Sequence, residues 1–592
     1  MEWVVYQVEY IIGTEKSLLP GIFYQFVKII SGFFSGMRFL CIGSWAGAER
    51  NKNTVTMRKT NAILAMASIL WVAISCGAGQ TGSSSSGAAL RTIVSDESTT
   101  VSTKYGKVQG FRDGDVYTFR GIPYAKAERF MPPQVPDRFD GVKVCRTYGP
   151  KTPQTSTSLD WKEDRSDYGF GFQFNLEPVD EANCLVLNVW TKGIADGKKR
   201  PVFVWIHGGG FASGSGNDLP CYEGRALAEK GDVVVVNLNH RLNILGFLDL
   251  RGLGGKYSES VNLGMQDLVK ALEWIRDNID AFGGDPGSVT IAGQSGGDGK
   301  VNTLMAMPSA MGLFHRAIAQ SGSWILHNSD ADGKALGLQV IEELGLKPSQ
   351  VDKLADFTYE ELAAAGHRAT VKLRSSNGFC PTVDGKYVTD PSFDPDAPVI
   401  SRNIPMLLGS NKNEFTYDNS PVLTSEEVLV RLEKQLGKEK AAAFVKAFDA
   451  SYPGHTPQEV LYTDLFLRKA AVKMADVKSA QGAAPVYMYF FTWKPSGNAL
   501  GACHGMELPF VFNNIALQRE MTGGTPDAYR LSDLMSSAWL SFIRTGDPNV
   551  PGLPAWEPYT AENGSTMVFD RVCKVVHNHD RALLEYDLPR RF

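Results

Sequence analysis

Cysteine is scarce, with eight in 592 residues, too few for a scaffold stapled by disulfides. No CxxC pair and no HExxH occurs, so the spacings of zinc ribbons, redox pairs and metalloprotease helices are missing. GK[ST] is also absent, and the glycine loop His207–Phe211 matches neither it nor GxGxxG, which removes a phosphate- or dinucleotide-binding reading of that loop. Nor is there an excess of one charge. The 60 Lys+Arg and 64 Asp+Glu leave a formal net charge of −4, which gives no electrostatic footprint for nucleic acid. No repeat of fixed period is evident. What remains is ordinary globular usage, 43% hydrophobic and 21% charged, which excludes wholesale disorder. Glycine (59) and proline (30) are plentiful, as suits a loop-rich enzyme. Length alone gives a prior of about four domains, but large α/β enzymes break that rule.

The N-terminal part reads as processing rather than fold. Arg58 and Lys59 precede an apolar run, Ala62–Ile74, of the length of a secretory signal. Ser75-Cys76 then resembles a bacterial lipoprotein cleavage box, with Ala73 where such boxes usually carry Leu. Residues 57–76 are therefore expected to be a signal peptide and Cys76 a lipidation site. The alternative is an ordinary cleaved signal in which Cys76 is incidental. Residues 77–96, rich in Gly and Ser to Ala88, read as a flexible tether. A signal should not begin at residue 57. Apolar patches within 1–56 are interrupted by Lys28 and Arg38 and never make a clean span of about 20 residues. The expectation is that Met57 is the true start and 1–56 a non-native extension, against a genuine leader. Localisation follows: exported, at the cell envelope or periplasm if lipidated, otherwise secreted.

From residue 97 to 592 the pattern is globular and reads as one domain. Apolar runs bounded by turns recur at Val202–Ile206, Val233–Leu238, Val289–Ala292, Ala317–Gln320, Ile404–Leu408 and Val486–Trp493. They look like fully buried strands. A helical pattern lies between them at Gly264–Asn278, with Leu268, Ala271, Leu272 and Ile275 on one face. Buried strands alternating with helices predict an α/β fold with a large, mostly parallel central sheet flanked by helices. In such sheets chemistry sits beyond the C-terminal strand ends.

At those ends stand the candidates. Gly293-Gln294-Ser295-Gly296-Gly297 is a GxSxG after an apolar run, with a helix-compatible segment, Lys300–Met307, behind it. That is the strand–turn–helix context of a nucleophile elbow in α/β-hydrolases; the plain alternative is a structural turn with an incidental Ser. A serine hydroxyl needs an adjacent base. Seven of the nine histidines follow Ser295. His504, Gly-flanked just beyond the Val486–Trp493 run, is best placed. His367 and His455 read as surface residues, and the pair His577/His579 is weak evidence for a metal. The orienting acid must lie between nucleophile and base in this chain order. Glu414 follows Ile404–Leu408 and is preferred; Asp384, in PTVDG, is the alternative. The glycines of His207-Gly208-Gly209-Gly210-Phe211 let backbone N–H groups point inward, and Gly296 N–H would complete a cradle for a developing oxyanion.

Taken together, the landmarks resemble a family. FRGIPYA (119–125), CLVLNVW (184–190), HGGGF (207–211), NHRLNILGF (239–247), FGGDP (282–286), QSG (294–296), GSNKNE (409–414), HGMELP (504–509) and TGDPN (545–549) are similar to the type-B carboxylesterases, the cholinesterase-like branch of the α/β-hydrolase fold. The resemblance spans about Tyr105 to Tyr559. It implies Ser295 as nucleophile, Glu414 as acid, His504 as base, and Gly209, Gly210 and Gly296 as oxyanion donors, with no metal or organic cofactor. There are departures. Gly296 stands where the family usually has Ala. Ala182-Asn183 replaces an acidic residue expected to pair with Arg129, a role Glu181 can take. Thr152 falls near the usual disulfide partner of Cys184, leaving Cys145 as a replacement partner. No counterpart of the choline-binding aromatic is found within 158–183. Arg241 with Asp267 resembles a structural ion pair of the family.

The implied activity is hydrolysis of a small-molecule carboxylic ester through an acyl-enzyme, with membrane attachment only through Cys76. Two alternatives use the same fold: a non-catalytic cholinesterase-like binding or adhesion module, and a thioester, lactone or amide hydrolase. Phe211, Trp324 and the aromatic segment containing Trp161, Tyr168, Phe170, Phe172 and Phe174 are expected to wall an apolar cleft or else to pack as core.

Overall fold

The structure is a computed structural model that describes residues 93–154, 177–323, 327–415, 422–495 and 501–586. The expectations for residues 1–56, Met57, the 57–76 signal, Cys76 and most of the tether lie outside the described residues. So do those for Trp161, Tyr168, Phe170, Phe172, Phe174 and Trp324.

Seven neighbouring strands run parallel. Across the sheet they are Val234–Leu238, Arg200–Ile206, Gly284–Gln294, Arg316–Gln320, Met406–Asn411, Val486–Phe491 and Ser565–Phe569. Among the described residues, antiparallel strands extend both edges to twelve in all, and a separate three-stranded sheet lies near the beginning of the fold. The parallel strands are uniform apolar runs because both faces are covered. In strand Arg200–Ile206, Val202, Val204 and Ile206 join one core with Leu268, Ala271, Leu272 and Ile275 of helix Leu263–Asn278. Phe203 and Trp205 point the other way, into a core with Trp539 and Phe542 of helix Pro526–Thr545. The same alternation splits Val234 and Val236 from Val235, as side chains of a strand must. Each buried aliphatic or aromatic side chain contributes about 1.5–3 kcal/mol, so this double-faced sheet is a rigid platform for the loops at its ends.

Two boundaries shift from the sequence expectation. The compact unit spans Leu90–Phe592. Ile93 and Val94 pair with Asp113 and Arg112 as an edge strand, so the last tether residues belong to the fold. The helix after Ser295 runs Gly296–Leu304, not Lys300–Met307. Three glycines hid its start, since glycine costs about 1 kcal/mol in a helix. Close backbone approach accounts for two of them: a Cβ at Gly297 would lie 2.1 Å from the Ile206 carbonyl oxygen and one at Gly296 2.2 Å from the Gly210 oxygen.

Candidate active site

Strand Gly284–Gln294 stops at Ser295, which takes φ 58°, ψ −126° before the helix begins. A non-glycine residue there is strained and persists only when its surroundings over-determine it. They do: the Ser295 N–H donates to the Gln320 carbonyl at 2.8 Å, anchoring the turn to the next strand. The serine is left partly exposed on a tight elbow.

Two other strand ends supply His504 and Glu414. Glu414 sits three residues past strand Met406–Asn411, is fully buried and has φ 35°. Its carbonyl accepts the His504 N–H at 2.8 Å, and it bridges to Cys503 as a one-residue extension of the sheet. His504 Nδ1 then lies 2.6 Å from Glu414 Oε2, while Glu414 Oε1 accepts the Asn411 N–H at 2.7 Å. The Phe415 ring packs on the imidazole, centroids 4.1 Å apart. Burial opposes charge on both partners, raising Glu414 and lowering His504. On Glu414 the Asn411 N–H and the Ser321 hydroxyl work the other way.

The other imidazole nitrogen, Nε2, is 3.0 Å from the Gln294 side-chain amide nitrogen. A carboxamide NH2 only donates, so Nε2 carries the lone pair and the ring proton sits on Nδ1, facing Glu414. That is the tautomer of a general base. Because Gln294 immediately precedes Ser295, the contact also places the elbow against the imidazole. Beneath the pair lies Glu507, buried and accepting from Asn411 Nδ2 at 2.6 Å and Gln320 Nε2 at 3.2 Å. Burial and then the Glu414 charge push it up to about 7.

The third loop is His207–Phe211. Gly209 and Gly210 have φ +80° and +61° and are exposed. Gly210 meets Gly296 backbone to backbone: a Cβ at Gly296 would lie 2.2 Å from the Gly210 oxygen and 2.4 Å from its Cα. Glycine at 296, where alanine is usual, is what this approach requires. No acceptor among the described residues takes the N–H of Gly209, Gly210 or Gly296. Below the loop Lys300 is fully buried and donates to the His207 and Gly208 carbonyls at 3.0 and 3.4 Å. Burial pushes its amine down to about 7, against the attraction of Asp218. His207 and His240 stack nearby, centroids 5.0 Å apart, both held below the usual imidazole range by burial first and the Lys300 charge second.

The structure thus groups Ser295, His504 and Glu414 at one end of the sheet, with Gly210 against Gly296 and Gly209 next to it in the loop. Asp384 goes elsewhere: its Oδ1 accepts from the N–H groups of Tyr387 and Val388, closing a turn. His367 is exposed, His455 binds Asp449 at 2.7 Å, and His577 and His579 face Glu557 and Asp580 separately. Arg129 forms a two-pronged pair with Glu181, at 2.7 and 2.6 Å, so Glu181 takes the place of the missing acid. Arg241 and Asp267 pair in the same fashion, fully buried. The suggested Cys145–Cys184 bridge does not form. Both thiols are free and buried, and Thr152, in the usual partner's place, donates to Cys184 Sγ at 3.4 Å. Phe211 turns inward onto Phe247, centroids 5.2 Å apart. Gln294, Asn411, Lys300 and Glu507 were not singled out from sequence, although all but Lys300 lie inside the quoted landmarks.

A mostly parallel sheet, a strained Ser elbow and a buried imidazole–carboxylate pair at its C-terminal edge define an α/β-hydrolase fold. The model of the Carboxylesterase family matches residues 97–583, and the chain belongs to that family: it is a carboxylic-ester hydrolase. It is 35% identical over 486 residues to the para-nitrobenzyl esterase of Bacillus subtilis (strain 168), covering 79% of this chain and 94% of that one. It is 33% identical to the phenmedipham hydrolase of Pseudarthrobacter oxydans, with the same coverage. Among solved structures, an esterase of Clostridium hathewayi described as hydrolysing aliphatic aromatic polyesters superposes with a TM-score of 0.77 at 34% identity, covering 84% of this chain and 99% of that one. A carboxylesterase of Geobacillus stearothermophilus gives 0.66 at 36% identity, covering 82% and 100%.

Proposed function

We propose that this esterase works through a Ser295–His504–Glu414 triad and an acyl-enzyme. The observation that carries the reading is the imidazole held at both nitrogens: Nδ1–H toward Glu414 and a bare Nε2 against the residue that precedes Ser295. Gln294 yields Nε2, which takes the Ser295 proton as the hydroxyl oxygen attacks the ester carbonyl. Glu414 stabilises the imidazolium so formed. The carbonyl oxygen becomes negative and is met by the N–H groups of Gly209, Gly210 and Gly296, each such donor being worth about 3 kcal/mol of the barrier. His504 returns its proton to the leaving alkoxide, and water, activated by the same nitrogen, releases the acid. A relative named a para-nitrobenzyl esterase and one described as hydrolysing aliphatic aromatic polyesters support aryl or benzyl carboxylic esters as the substrate class.

The test is Ser295→Ala in residues 77–592, assayed on short- and long-chain aryl esters beside the parent. Its kcat should fall by about 10⁴-fold or more, and a serine-directed phosphonate should add once to the parent, at Ser295. Equal turnover, or labelling only elsewhere, would refute the triad.

Export as a lipoprotein anchored through Cys76 is proposed on the 57–76 segment alone. Radiolabelled fatty acid should enter the parent and not Cys76→Ser; equal labelling of both rules the anchor out.

A further inference from the structure

Lys300 is an amine in the wrong place for an ordinary core. It lies on the first turns of the helix after Ser295, is fully buried, and has no carboxylate within ion-pairing distance among the described residues. Burying a cationic group without a partner acid is costly, and an apolar side chain of similar length would avoid that cost. What the amine does have is two backbone carbonyls, those of His207 and Gly208. Its nitrogen also sits 5.8 Å from the Phe211 ring centroid, at the far end of the same loop.

The two carbonyls matter because of what lies on the other side of each peptide. In a trans peptide the C=O and N–H point in opposite directions. The His207–Gly208 unit obeys this, with its carbonyl on Lys300 and its N–H on the side of the buried Tyr222 phenol. The Gly208–Gly209 unit has its carbonyl on Lys300 and on His207 Nδ1, the latter at 2.9 Å. Its N–H, that of Gly209, is therefore turned away from the core. Glycine flanks this peptide on both sides, so no side chain resists its rotation. A flipped peptide would aim a carbonyl where a donor is needed.

We propose that Lys300 is a positioning residue for ester hydrolysis: by holding the His207 and Gly208 carbonyls from below, it fixes the Gly209 N–H toward the oxygen that becomes negative when Ser295 attacks. This rests on the reading of Gly209 as an oxyanion donor. Lys300 does not touch substrate; it acts through the loop.

The experiment uses the full chain with Lys300→Met, and Lys300→Leu should the first not fold. Three quantities are read: kcat and KM on an aryl ester, the inhibition constant of an aryl trifluoromethyl ketone, and the unfolding temperature. The ketone forms a tetrahedral adduct with the serine and so reports on the oxyanion cradle directly. The expected result is a loss in kcat of about 100-fold, the scale of one lost oxyanion donor. KM should stay within about threefold, ketone affinity should fall by the same factor as kcat/KM, and the unfolding temperature should be unchanged or higher. A kcat/KM within threefold of the parent overturns the proposal. So does a loss of kcat with ketone affinity intact, or failure of both variants to fold, which would make the amine a folding requirement. If Ser295→Ala retains activity, the triad reading fails instead, whatever Lys300 does.

Discussion

The side-chain amide of Gln294 occupies the imidazole nitrogen that hydrolysis needs, 3.0 Å away and almost fully buried. Its consequence can be reasoned from charge alone. The amide is neutral and donates, so it favours the unprotonated imidazole, in the same sense as burial, which lowers His504. Gln294→Glu would put a carboxylate beside the same nitrogen. An anion at that distance favours the imidazolium and raises its pKa. The base is active only when unprotonated, so activity must then begin at higher pH. The expected outcome is an acidic limb of kcat/KM displaced upward by about one pH unit or more, with the alkaline plateau retained. Coincident pH profiles for parent and variant would show that Gln294 does not face the working imidazole.

Elements meet tightly where the helix Gly296–Leu304 leaves the elbow. Gly297 has the Ile206 oxygen 2.1 Å and the His207 oxygen 3.0 Å from where a Cβ would stand, and both are backbone atoms that cannot swing aside. Gly297→Ala must push the helix off strand Arg200–Ile206, an overpacking that costs about 1–3 kcal/mol. It also moves Ser295, Lys300 and the His207–Phe211 loop together. The expected result is a lower urea midpoint and a loss of kcat larger than the loss of folded protein explains, read by denaturation and by turnover per phosphonate-titrated serine. Much at this scale was legible beforehand. VFVWI, VVVVNL and VYMYFF announce buried strands because parallel strands are apolar on both faces, and a glycine loop or a polar residue at each end marks where the chain emerges. The short antiparallel edge strands such as Ile93–Val94 and Lys574–His577 carry no such run and were not legible. Neither was the helix start, because close backbone approach selected residues of poor helix propensity. Side-chain destinations were the least legible. Glu414 is preferred over Asp384 in the sequence only by its place after an apolar run, and it is the loop bearing His504 that separates the two in the structure. Nothing in the sequence singles out Lys300; its burial beneath the His207–Phe211 loop is set by the fold.

The whole molecule closes where the chain returns after its last strands. Asp580 lies near the end of the described residues, yet Arg468 of helix Phe466–Ser479 grips it at 2.8 and 3.1 Å. Both are buried, with Tyr452 donating to the same carboxylate at 3.3 Å and the Phe490 ring 4.9 Å from the guanidinium. Burial alone would raise this carboxyl, but Arg468, His579 and Tyr452 outweigh it and hold it at about 2. A carboxyl depressed on folding stabilises the folded state above its unfolded pKa of about 4 and loses that contribution as pH falls toward 2. Asp580→Asn removes one charge and strands the other in the core, so at pH 7 it should cost about 3–5 kcal/mol. The sign of the pH dependence separates this from a packing defect. Asparagine does not titrate, so the stability gap between parent and variant should be constant from pH 7 to about pH 5 and then narrow as the parent's Asp580 takes up its proton. Urea unfolding of both proteins across that range measures it. A gap that stays the same width down to pH 2.5 would mean that Asp580 holds the chain end by shape rather than by charge.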